Sequence, residues 1–196
     1  MFNLRTIGVA AGLAAPIVAF TFILSAIASW PVFSWTNNAL SDLGVIEGVP
    51  SILFTIGLCG AGILAFIFAV LGLYSFLGKS RLGKVGSGFY AIATVALFCI
   101  GVFNENFTPP THFVVSALFF VLMPFASFIL TCAFYRGNQH RLAFFTLAVG
   151  LVAALPWILQ FTVGYVPNVA IPETISAVTV ALWIVVLSRK ILKNGQ

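Results

Sequence analysis

Charge is what this sequence has least of. Four of its 196 residues are Asp or Glu and nine are Lys or Arg, 7% in all, where soluble domains carry roughly one quarter. With 61% hydrophobic residues and a mean hydropathy of +1.14, an ordinary globular domain is excluded. Histidine is almost as scarce. Of the two, His140 lies between Arg136 and Arg141, so His112 is the one imidazole away from the basic segments, too few for the zinc sites usual in membrane hydrolases. Cys59, Cys99 and Cys132 sit inside apolar runs, are odd in number and show no metal-ligand spacing, which argues against structural disulfides and reads as small buried hydrophobes. The sequence has no His-Glu-x-x-His zinc motif, no Gly-x-Ser-x-Gly nucleophile elbow and no phosphate-cradling glycine loop. No apolar run carries an ionisable residue near its centre, which disfavours proton-coupled transport and voltage sensing.

What the sequence has instead is six long apolar runs, at about residues 7–30, 50–77, 85–103, 112–134, 142–163 and 172–187. At 1.5 Å rise per residue each crosses roughly 30 Å of hydrocarbon as a helix. The expected fold is all-α: one polytopic transmembrane domain of six helices over residues 1–196. Ala26, Ile27 and Ala28 offer the small-x-small pattern of a signal-peptide cleavage site. The first run is nevertheless longer than a signal-peptide core, and a retained helix gives the even number that the basic C-terminal segment requires.

The few charges alternate between gaps. Arg5, then Lys79, Arg81 and Lys84, then Arg136 and Arg141, then Arg189, Lys190 and Lys193 mark one set of gaps. Asp42 and Glu47, Glu105, and Glu173 mark the other. Because cytoplasmic loops retain Lys and Arg, the basic set is expected inside, with both termini cytoplasmic and the acidic set outside. The formal charge of +5 then faces anionic lipid headgroups at helix ends, and nucleic acid is rejected as a partner. A multi-pass protein of a prokaryotic cytoplasmic membrane is the expectation.

Packing signals are also present. Gly57, Ala61, Ala65 and Ala69 recur every fourth residue and make a smooth stripe, expected to pack within the bundle or to form a homodimer seam. Gly8 and Gly12 are a shorter version. Pro16, Pro124 and Pro156 lie within spans and predict kinks.

Irregular sequence gathers in the acidic gaps. The longest, residues 31–49, holds Asn38, Ser41, Asp42, Gly44 and Glu47, and a loop of that length is often functional. Trp30 and Trp35 suit a membrane interface, so the loop is expected to lie back over the bundle there. Glu47 and Glu173 have a plain explanation, since both stand near helix starts whose partial positive charge favours carboxylates. Asp42 stands too far before the second helix for that account. His112 follows Pro109, Pro110 and Thr111, with Thr111 the expected N-cap, and Ser116 lies one turn further on the same face.

The run Asn38, Ala39, Leu40, Ser41, Asp42, Leu43, Gly44 resembles the Asn-x-x-Ser-Asp-Leu-Gly signature of a family of small prokaryotic six-helix membrane proteins, domain of unknown function nine-nine-eight. Gly101, Val102, Phe103 and Asn104, followed by His112, Phe113, Phe119 and Phe120, look like its second marker. More remotely, Ser41-Asp42-x-Gly44 with Pro50, Asn104 and His112 is similar to the damage-regulated autophagy modulators and the GPI-anchor lipid-remodelling factor. That likeness implies six helices, an outward Ser-Asp loop and a role linked to membrane lipids, although Leu43 and Glu47 depart from the modulators' pattern.

These readings converge on one expectation. Asn38, Ser41, Asp42, Asn104 and His112, with Glu105 and Ser116 nearby, meet in an outward polar pocket that binds a lipid headgroup while kinked helices admit the chains. The partner is membrane lipid, with no cofactor and no resident metal. One alternative makes the same place a metal-dependent or acid-base lipid hydrolase using Asp42, Glu105 and His112, or pairing Ser41 with His112. Another makes the loop a scaffold that stabilises the bundle or receives a partner protein.

Overall fold

The structure is a computed structural model that describes residues 4–107 and 110–193; Pro109 lies outside them. Six helices long and apolar enough to cross a membrane account for most of the chain: α1 (Leu4–Ala28), α2 (Val49–Leu77), α3 (Arg81–Val102), α4 (Thr111–Arg136), α5 (His140–Val163) and α6 (Ala170–Lys193). Among the described residues there is no strand. The helices begin and end close to the apolar runs, but α3 and α6 carry basic residues into their terminal turns. Arg81 and Lys84 open α3, and Lys190 and Lys193 close α6. Hydrophobicity marks where a span meets water, whereas backbone hydrogen bonding continues until a cap stops it. Thr111 corrects an expectation in the same way. It is the first helical residue of α4 rather than its N-cap, a position held by Pro110 with no side-chain cap.

Each helix packs on its sequence neighbour, and α6 returns to α1, closing a ring. Short connections force antiparallel neighbours. All acidic residues therefore fall at one end of the bundle and all described basic residues at the other.

Small residues set the ring's spacing. A Cβ on Gly8 would come within 2.7 Å of the α2 backbone at Leu71, and one on Gly12 within 2.5 Å of the Phe68 ring. Gly57 faces Phe22 of α1, while Ala61, Ala65 and Ala69 are buried. Ala61 and Ala65 of this stripe face the interior of the bundle, where they line a cavity.

One element was not foreseen. Within α2, Phe68–Tyr74 winds as a π-helix, and Phe68 and Leu73 of that segment are fully buried. A π turn frees a carbonyl, and Val70 O accepts a hydrogen bond from Ser75 Oγ at 3.4 Å. The core at the basic end is aromatic, with Tyr90 contacting both Phe68 and Trp183. Trp183 Nε1 donates to Thr146 Oγ1 at 3.0 Å, satisfying the one polar group of its ring.

Candidate functional site: a plugged cavity at the acidic end

The loop between α1 and α2 folds into the end of the ring. Ala39, Leu40, Ser41, Leu43 and Gly44 are all buried, and Leu43 is wholly inaccessible. Apolar side chains at 39, 40 and 43 give the segment a reason to leave water, but its backbone then needs partners. They come from two sources. Ser41–Gly44 winds as a short 3-10 turn in which Val45 N donates to Asp42 O. The Asp42 carboxylate folds back on the preceding residues, its Oδ2 accepting from Asn38 Nδ2 at 2.6 Å and from Ala39 N at 3.1 Å. Asn38 Oδ1 in turn accepts from Ser34 N at 2.9 Å. Asp42 thus holds the loop's shape.

The second source is the start of α6. Asn168 N donates to Thr36 O, Asn168 Nδ2 to Asn37 O, and Ala170 N to Asn38 O, at 3.0 to 3.1 Å. Leu40 N then donates to Glu173 Oε2 at 2.6 Å. Glu173 is only 8% exposed. No Lys, Arg or His forms an ion pair with it among the described residues.

A third attachment joins the loop to the α3–α4 corner. Asn104 Nδ2 donates to Gly44 O at 3.1 Å, and a side chain at Gly44 would press on Phe54. Across that corner His112 Nδ1 lies 2.6 Å from Phe103 O. A carbonyl only accepts, so Nδ1 carries the proton, and Nε2, 3.3 Å from Ser116 Oγ, is free to accept from it in the neutral ring. Glu105 Oε1 is 3.9 Å from the same Nε2.

Beneath the plug lies a cavity of about 100 Å³, walled by α1, α2, α3, α4 and α6. Its lining on α3 runs from Ile100 down to Tyr90, about 15 Å of helix at 1.5 Å per residue. The walls are nearly all apolar. Ser41, Ser116 and Glu173 supply polar atoms at the acidic end, and Thr94 and Tyr90 lie deeper. Thr94 Oγ1 donates to Ala91 O, but the buried Tyr90 hydroxyl has no partner among the described residues. On α1 and α6 the lining residues Pro16, Ala19, Phe20, Ala177 and Ala181 are half-buried, as are Leu97, Ser116 and Phe120 on α3 and α4.

The predicted polar residues therefore divide. Ser41 and Ser116 line the cavity. Asn38, Asp42, Asn104, Glu105 and His112 belong to the frame around it, and no contact joins Asp42 to His112. Among the described residues no three of His, Cys, Asp and Glu are grouped so as to hold a metal, so the set Asp42, Glu105 and His112 is not assembled.

A family model described as "Protein of unknown function (DUF998)" matches residues 13–190. The chain belongs to this family. Every cavity-lining residue of this DUF998 chain, from Ala15 to Ile184, lies within the matched segment. No curated protein and no solved structure matches it.

Glu173 is the residue that sequence reasoning missed. An acid after Pro172 reads as an ordinary helix opening, and such acids are normally wet. The difference is made by a loop some 130 residues earlier, which covers it. One local signal was available, because Ile171, Pro172 and Ile175 flank the carboxylate with apolar surface.

Proposed function

We propose that this protein binds one lipid-like amphiphile, with an alkyl chain in the central cavity and the head beneath the loop beside Ser41, Ser116 and Glu173. The membrane is the prokaryotic cytoplasmic one, the acidic end faces outward and both termini are cytoplasmic. The positive-inside partition supports that orientation. The observation that carries the reading is an apolar cavity whose α3 wall runs about 15 Å, with Ser41, Ser116 and Glu173 gathered at its acidic end. Pockets for small molecules have that composition: apolar walls and a few placed polar groups. Half-buried lining residues on several helices support entry of the chain from the bilayer, without passage through water.

The test is native mass spectrometry of the protein released from maltoside micelles. Wild type is expected to retain a single lipid. Ala177→Phe, which fills the cavity from a half-buried position, is expected to lose it while keeping its helical content. A lipid-free wild type, or an unchanged adduct in the variant, would sink the reading.

A further inference from the structure

Resting on that reading, we propose that the head of the bound amphiphile is positively charged, an amine or quaternary ammonium seated against the Glu173 carboxylate. The charge distribution points one way. All nine Lys and Arg residues occur in the segments at the basic end, so the acidic end offers an anionic head no basic partner apart from His112. It offers a cationic head Glu173, with Asp42 in the loop that covers it and Glu105 in the α3–α4 corner.

Among these carboxylates Glu173 is the one in the cavity wall. Asp42 Oδ2 is taken up by Asn38 and Ala39, and Glu105 lies beside His112. Glu173 receives a single backbone donor, Leu40 N, on Oε2. Oε1 has no donor among the described residues. A buried carboxylate without a counter-ion is costly and takes up a proton instead, whereas a cation seated beside it favours the charged form and gains more there than it would in water. A second unmet group lies deeper, the Tyr90 hydroxyl, in a residue 1% exposed that also lines the cavity. The chamber therefore presents a carboxyl group at its head and, deeper, the Tyr90 hydroxyl.

A purely structural role, in which Glu173 serves only to hold Leu40 N, makes a different prediction. Glu173→Gln keeps an oxygen for that donor and removes only the charge. Wild type and Glu173→Gln are titrated with dodecyltrimethylammonium, dodecyl sulfate and 1-dodecanol, and one-to-one adducts are read by native mass spectrometry. Wild type is expected to bind the ammonium at least tenfold more tightly than the sulfate. Glu173→Gln should lose that tenfold preference while keeping its melting temperature. Equal ammonium binding by Glu173→Gln, or sulfate binding matching ammonium binding in wild type, overturns the proposal.

The dodecanol arm separates the two ideas. If wild type fails to bind dodecanol, or Ala177→Phe binds it unchanged, the cavity reading itself fails. If dodecanol binds at the cavity and the ammonium head adds nothing, only the present inference fails. Displacement of the ammonium by short-chain phosphatidylethanolamine identifies a lipid amine as the source, and retention of the ammonium against it identifies a free amphiphilic amine.

Discussion

Asp42 and His112 attract notice in the sequence because neither has a routine explanation there, and the structure gives each a framework task. The Asp42 carboxylate organises a tight loop, and the His112 ring ties the end of α3 to the start of α4 through Phe103 O. Ser116 adds an ambiguity at this scale. Its hydroxyl faces a proton-accepting ring nitrogen, the arrangement of a nucleophile and its base, and it lines the cavity. Two substitutions resolve it. His112→Ala removes the Phe103 staple and is expected to cost about 1 kcal/mol, in the range of polar contacts between membrane helices. Ser116→Ala leaves the staple intact and is expected to change the melting temperature little. Hydrolysis of a fluorogenic lipid ester by wild type, lost in Ser116→Ala with folding unchanged, would convert this pair from frame to catalyst. The single-residue level is also where sequence reading was least complete. Ser41 and Asp42 stand out through an unusual local pattern, whereas Glu173 looks ordinary because its burial is conferred by residues 36–40.

At the scale of elements, the apolar runs place all six helices to within a few residues, since a span's length is dictated by the bilayer it crosses. The π segment of α2 was not legible. Nothing in Phe68–Tyr74 announces a wide turn. Its setting is tertiary: Gly8 of α1 meets Gly72, and Gly12 meets Phe68. This crossing yields a sharp contrast. Gly8→Ala forces a methyl group toward the α2 backbone and is expected to destabilise the bundle by roughly 1–3 kcal/mol, the usual cost of overpacking. Gly88→Ala in α3 meets nothing within 4 Å and should be neutral or slightly stabilising, because alanine favours a helix. Thermal melts of the two variants in one detergent check both, and equal shifts would contradict the packing described here.

At the scale of the molecule, charge divides along one axis, acids at one end and bases at the other. The same division makes topology testable. In a background with the three cysteines replaced by alanine, Asn37→Cys in the plug loop is expected to react with a membrane-impermeant maleimide on intact cells. Asn138→Cys, in the connection between α4 and α5, should react only after lysis. The reverse pattern would invert the whole assignment. The ring order is similarly readable, because short connections leave few alternatives. Its closure by α6 against α1 and the position of the plug are not, since both are settled by contacts between the two ends of the chain.

Those end-to-end contacts impose an order on biogenesis. The plug is synthesised between the first two helices, yet the groups that receive Leu40 N and donate to the carbonyls of residues 36–38 lie at residues 168–173, about 130 residues later in the chain. While the ribosome is still working, the loop has nothing to close against, and the five helices already inserted leave the chamber open. Arrival of α6 supplies a wall, the partners for the loop and the buried carboxylate in one step. Assembly of the chamber therefore waits for the sixth helix, so a product truncated before α6 would be unable to form it.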